Sequence, residues 1–143
     1  MRSLSCYRQA AVLFFLATLW SCAGAVGRQS ATGPPGSIFG LYNNGQDSVR
    51  VTPAEKGGVS VVLQLYYASG NTCGLEKEGA WEHDHVSIVA EALEANQQCK
   101  LQLFFPKGHV LLKDEGGRCT QVYCGAHGQL DGVKLPKSRA LPK

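Results

Sequence analysis

An all-β domain, a small antiparallel meander forming a barrel or sandwich with two disulfides, is the fold class this sequence predicts, and three observations carry it. Residues 59–67 alternate strictly, with Val59, Val61, Leu63, Leu65 and Tyr67 on one face and Ser60, Val62, Gln64 and Tyr66 on the other. Period-two alternation of β-branched and aromatic residues specifies a half-buried strand. Short apolar runs recur at hairpin spacing along the rest of the chain, each closed by turn residues. Finally, Cys73, Cys99, Cys119 and Cys124 make an even set within this part of the chain, which in an exported protein reads as a disulfide framework.

The elements follow in order. Strands are expected over residues 38–42, 49–51, 59–67, 73–81, 85–90, 99–105 and 109–113. Turns are expected at Asn43-Asn44-Gly45, Lys56-Gly57-Gly58, Ser69-Gly70-Asn71, Asn96, Pro106-Lys107-Gly108 and Glu115-Gly116-Gly117. Residues 85–95 also fit a helix, because Val86, Val89, Ala90 and Leu93 stand at i, i+3, i+4, i+7 and Glu91, Ala92, Glu94 and Ala95 are good helix formers; the strand reading is preferred. Residues 26–36 are rich in Gly, Pro and Ser with little apolar content and read as a flexible linker, so the β-rich domain spans residues 37–133. Residues 134–143 form a basic tail, and its two prolines and four cations suggest that it frays.

Ahead of the domain, Arg2 and Arg8 precede an uncharged apolar stretch over residues 10–20, and Ala23-Gly24-Ala25 fits a small-residue cleavage site. Residues 1–25 therefore read as a signal peptide, shorter in its apolar run than the ~20 residues a membrane-spanning helix needs. The expected location is periplasmic or secreted. Leu19-Trp20-Ser21-Cys22 offers an alternative lipoprotein reading in which Cys22 takes the lipid and the protein sits on the outer membrane; bulky Trp20, where a small residue is usual, argues against it. Membrane association is expected only if Cys22 is lipidated.

The formal charge of +3 comes largely from the ends of the chain. Without residues 1–25 there are twelve cations against eleven acids, and Lys134, Lys137, Arg139 and Lys143 lie in the last ten residues. Residues 26–133 then carry −3. A nucleic-acid partner needs a basic face to neutralise phosphates, and none is expected. Four cysteines allow three connectivities; Cys73–Cys99 with Cys119–Cys124 is favoured, the first flanking a hairpin and contributing ~3 kcal/mol by loop closure, the second clipping a tight loop. A zinc site is disfavoured by the compartment and by the lack of paired C-x-x-C knuckles. Four residues rather than two between Cys119 and Cys124 set aside a thioredoxin-like role.

The string Cys119-Thr-Gln-Val-Tyr-Cys124-Gly-Ala-His-Gly-Gln-Leu-Asp-Gly132, together with Asn71-Thr72-Cys73 and Cys99-Lys-Leu-Gln-Leu-Phe-Phe, resembles small bacterial periplasmic proteins that are similar in plan to periplasmic lysozyme inhibitors. The resemblance covers roughly residues 60–133, and its most specific part is C-x4-C-G-A-x-G-x-L-D-G. It implies a compact β-structure that pushes a loop into the sugar-binding cleft of a lysozyme or another cell-wall hydrolase. One inhibitor class uses a Ser-Gly loop followed by an aromatic residue; here Ser69-Gly70 is followed by Asn71-Thr72, a departure from that pattern. The partner-binding loop is accordingly assigned to Tyr66, Ser69, Gly70 and Asn71. A plain hairpin turn chosen for its backbone tolerance accounts for the same residues, and an envelope-associated structural module is the corresponding alternative function.

No catalytic residue, cofactor or metal is expected. Glu82-His83-Asp84-His85 is the most reactive-looking cluster, since His83 and His85 share one side of an extended strand and a metal site there would take His109 or His127 as its third ligand; no spacing fixes that third ligand, and an exposed turn explains the same composition. Glu76 and Glu78 lie two apart on one strand face, but glycoside hydrolysis also requires a cleft and a desolvated acid. G-x-S-x-G is absent.

Overall fold

The computed structural model describes residues 33–90 and 98–138. Within them the chain forms β1 Gly40–Asn43, β2 Ser48–Pro53, β3 Val59–Tyr66, β4 Thr72–Glu82, β5 His85–Ala90, β6 Cys99–Phe104, β7 His109–Asp114 and β8 Lys134–Pro136, with a short helix, α1 Arg118–Tyr123, between the last two strands. Every strand pairs antiparallel with its successor, in the order β1 to β8. The all-β meander expected from the sequence is the observed architecture, and it curls into a nearly closed barrel.

The curl follows from the alternation. In β3, Val59, Val61, Leu63 and Leu65 are buried, and the registers set apolar residues opposite one another around the sheet: Val51 with Val61, Leu63 with Leu75, Val86 with Leu103, Leu103 with Leu112, and Val110 with Leu135. One face of every strand thus points inward, and an eight-stranded barrel has an interior just wide enough for such side chains to fill. Burying each Val or Leu contributes roughly 1.5–3 kcal/mol. Leu130, from the connection that leads into β8, is also fully buried and joins this core.

Lys137 closes the barrel. It forms a β-bridge with Tyr42, its N–H donates to the Gly108 carbonyl at 2.7 Å, and its Nζ donates to the Ser37 carbonyl at 2.6 Å. The Ser138 N–H donates to the Leu41 carbonyl at 2.7 Å. The basic tail expected to fray therefore begins as a strand, and Leu135 is 2% exposed. A single apolar residue between cations carried no visible strand pattern, yet its burial and the last free edge of the sheet suffice to order the segment.

The disulfide pairing is corrected as well. Cys73 bonds Cys124 and Cys99 bonds Cys119, across 51 and 20 residues. Residues 118–123 are helical rather than an extended loop, so side chains five apart project roughly 140° from each other at 3.6 residues per turn; Cys119 and Cys124 face different strands. Residues 85–90 form a strand as preferred, while 91–97 lie outside the described residues, as do residues 1–25, expected to be a signal peptide, and Cys22 among them. Disulfides of this kind form and persist in oxidising compartments, and among the described residues no helix is long and apolar enough to cross a membrane.

Peptide mapping of native protein under non-reducing conditions should recover the 73–124 and 99–119 cross-links and no alkylatable thiol among these four cysteines. By the loop-closure relation, replacing the pair Cys99 and Cys119 with Ala should lower stability by about 3 kcal/mol in a denaturant titration. Tyr42 supplies a second test. Its hydroxyl donates to the Ile38 carbonyl at 2.8 Å, its ring lies 5.8 Å from that of Phe105, and burial raises its pKa above the ordinary value of 10.0. A raised folded-state pKa gives stability that is complete below the unfolded value and lost as pH rises through the folded one. Tyr42→Phe should cost about 1 kcal/mol at neutral pH and should show a shallower loss of stability than the parent above pH about 10, measured by urea unfolding at stepped pH.

Candidate functional site

β3 and β4 are joined at one end of the barrel by residues 67–71. The Tyr67 N–H donates to the Asn71 carbonyl and the Gly70 N–H to the Tyr67 carbonyl, both at 2.9 Å, so the loop is a tight backbone turn. Tyr66, Ser69 and Gly70 are exposed, Tyr66 by 47%. Asn71 is half-buried, and its Nδ2 donates to Ser69 Oγ at 2.8 Å.

Two neighbouring segments brace this turn. On one flank the Tyr66 N–H donates to Asp47 Oδ1 at 2.8 Å and Gln46 Nε2 to the Tyr66 carbonyl at 3.4 Å. Asp47 is itself positioned by the Asn44 side chain, whose Oδ1 accepts from the Gln46 and Asp47 N–H groups at 3.0 and 2.7 Å and whose Nδ2 donates to Asp47 Oδ2 at 2.8 Å. On the other flank, Cys73 at the start of β4 is bonded to Cys124, the residue that ends α1. From there the Gly125 N–H donates to the Thr72 carbonyl at 3.0 Å, the Gly128 N–H to the Gly125 carbonyl at 2.9 Å, and the Tyr67 hydroxyl to the Gln129 carbonyl.

The glycines of the C-G-A-H-G run are a packing requirement of this contact. A Cβ on Gly128 would come within 2.6 Å of Cys124 Cβ and 2.8 Å of Cys73 Sγ, and one on Gly125 within 2.6 Å of Asn71 Oδ1. Asn71 is therefore committed to holding the two loops together, leaving Tyr66, Ser69 and Gly70 as the presented groups. Residues 124–129 form the other half of the platform, and sequence reasoning did not include them among the site residues. The signal was the C-x4-C-G-A-x-G string itself, whose glycines mark close approach of another backbone.

The remaining candidates are dispersed. His83 and His85 flank the β4–β5 turn at the end of the barrel opposite residues 66–72, whereas His127 lies in the β7–β8 connection beside that loop. His85 is held with Nδ1 3.0 Å from Asp84 Oδ1 and Nε2 3.1 Å from Gln102 Nε2, and its ring stacks 4.9 Å from Phe104. His109 Nδ1 lies 3.0 Å from the Lys107 carbonyl. Among the described residues no group of three or more His, Cys, Asp or Glu stands in an arrangement able to hold a metal. Glu76 and Glu78 are both exposed on β4.

No protein-family model, curated protein or solved structure matches this chain.

Gly128→Ala should be markedly more destabilising than an ordinary surface substitution. Overpacking costs typically 1–3 kcal/mol, and here the added methyl falls on the Cys73–Cys124 bond. Thermal unfolding and non-reducing peptide mapping should show a lowered Tm and partial loss of the 73–124 cross-link, with 99–119 retained.

Proposed function

We propose that this chain is an exported binding protein that inhibits a lysozyme or other cell-wall hydrolase by presenting the Tyr66–Ser69–Gly70 surface to the enzyme's substrate cleft. The observation that supports this reading best is the bracing of the loop on both flanks, by Asp47 and by the Cys73–Cys124 bond. A loop ordered before encounter loses little conformational freedom on binding, which is the main way a small surface gains affinity. Tyr66 supplies an amphipathic anchor with few rotatable bonds, and exposed rigid aromatics of this type dominate binding energy when they become buried at an interface centre. The −3 charge over residues 26–133 favours approach of a cationic hydrolase. The filled barrel interior supports the same assignment, since recognition then falls to the rims and outer surface.

The assay is lysis of cell-wall suspensions by chicken-type, goose-type and invertebrate-type lysozymes with the exported protein added. Inhibition of at least one type at micromolar concentration is expected. Tyr66→Ala combined with Ser69→Lys should weaken it tenfold or more, about 1.4 kcal/mol, while Tm changes little because both side chains are exposed and the backbone contacts of Tyr66 to Asp47 and Gln46 are kept, with the surface bond from Asn71 to Ser69 Oγ the interaction lost. Higher salt should weaken inhibition mainly through slower association. Absence of inhibition with all three types would favour an envelope-associated structural module instead; inhibition insensitive to both substitutions would move the contact surface elsewhere.

A further inference from the structure

The two disulfides differ in what covers them and in what depends on them. Cys99 and Cys119 are both 0% exposed, and their bond ties β6 to the first turn of α1 within the core. Cys73 is 1% exposed, but its partner Cys124, which follows α1, is half-buried. Solvent therefore reaches the residue at one end of the 73–124 bond and neither end of the other.

The cover over the 73–124 bond is also thin. Gly128 packs directly on it, and the segment that carries Gly128 has no buried residue from 125 to 129. Its described attachments are hydrogen bonds, from the Gly125 N–H to the Thr72 carbonyl, from the Gly128 N–H to the Gly125 carbonyl, and from the Tyr67 hydroxyl to the Gln129 carbonyl. A segment with few buried contacts opens locally at low cost. The chain on either side of it is anchored without the bond: Asp114 accepts from the Cys119 and Thr120 N–H groups, and the Leu130 N–H donates to Thr120 Oγ1 beside a fully buried Leu130 side chain. Breaking 73–124 thus frees residues 124–129 from the loop at 66–71 and leaves the barrel tied through 99–119.

We infer that the Cys73–Cys124 disulfide is a redox switch for this platform, opened selectively by a dithiol reductant. One thiolate of the reductant attacks Cys124 Sγ, forms a mixed disulfide there and displaces the Cys73 thiolate. The second thiolate then attacks the reductant's own sulfur in that mixed disulfide, closing the reductant's disulfide and expelling the Cys124 thiolate. Two electrons pass from the dithiol to the cystine, and the two protons lost by the dithiol end on Cys73 and Cys124. Exposed disulfides are the labile and regulatory ones, whereas buried ones resist exchange. The effect on partner binding rests on the inhibitory reading above; the selective opening does not.

The test is titration of the purified native protein with dithiothreitol, quenched by alkylation and followed by peptide mapping and amide hydrogen exchange. Cys73 and Cys124 should be alkylated at least tenfold faster than Cys99 and Cys119. The amides of residues 67–71 and 124–129 should lose protection while β5 to β7 keep theirs. A Cys73→Ser, Cys124→Ser double variant should show the same exchange pattern without reductant, and the selectively reduced and alkylated protein supplies the same readout if that variant does not fold. Inhibition of a hydrolase by the oxidised protein should weaken tenfold or more on reduction and return on reoxidation with oxidised glutathione. A protein that inhibits in neither state refutes the inhibitory reading, while selective alkylation with local loss of protection still supports the switch. Alkylation of Cys99 and Cys119 as fast as the other pair, selective reduction with protection at 67–71 and 124–129 unchanged, or inhibition unaffected by reduction would each overturn the assignment.

Discussion

The buried side chain of Asp114 organises the end of the barrel where the two disulfides and the exposed loop meet. It is 3% exposed, and its oxygens accept from the Cys119 N–H at 3.0 Å and from both the N–H and the hydroxyl of Thr120 at 2.7 Å. These are donors that the first turn of α1 would otherwise leave orphaned, and a buried carboxyl group is tolerable only when its oxygens are so occupied. The Thr120 hydroxyl passes the constraint on by accepting from the Leu130 N–H at 3.0 Å, and Asp131 Oδ1 accepts from the Asp114 N–H at the same distance. One side chain at the end of β7 thereby fixes the start of the helix and, through Thr120, the return of the chain toward β8.

Everything at that end inherits its geometry from this network. With the helix start set, Cys119 meets Cys99 in the core and Cys124 is carried round to Cys73. The same helix thus ties β6 and β4 together across the mouth of the barrel. The platform of residues 66–71 and 124–129 is a consequence: its rigidity comes from covalent and hydrogen-bonded anchors below it rather than from contacts among the exposed groups. That separation leaves the exposed positions tolerant of change while the scaffold is not, which is the usual division between a surface loop and its support.

How much of this could be read from the chain depended on the range of the interaction responsible. Strand existence was legible because period-two burial is local: the pattern Val59, Val61, Leu63, Leu65 states which face is inside without knowledge of the neighbour. The turns at 43–45, 56–58 and 106–108 were legible for the same reason. The pairing of the cysteines was not, because it depends on residues 118–123 being helical, and a six-residue helix has almost no intrinsic stability. Asp114 and Thr120 supply that stability from outside the helix or across its first turn, and nothing in C-T-Q-V-Y-C announces it. β8 was hidden likewise, since a three-residue strand is decided by the free edge it meets. Of the candidate site, the exposed Tyr66, Ser69 and Gly70 were visible as a turn, whereas the structural duty of Asn71 required knowing that Gly125 packs against it.

The partner change in β4 shows how a closed meander can still offer more than one surface to solvent. Eight strands wrapped round a filled core must twist and coil strongly, and a strand as long as Thr72–Glu82 cannot follow both neighbours over its whole length. Here it follows β3 as far as Gly79 and β5 from Ala80. The absence of a Cβ at Gly79 lets β4 press against the backbone of β5, and the short β4–β5 ladder leaves the outward side of β5 beside a cleft. A bulkier residue at position 79 would force the strands apart at the crossing, disturbing the core residues Val86 and Ile88 and the outer cleft together. The tightness of one backbone contact therefore couples the closure of the barrel to the shape of its surface.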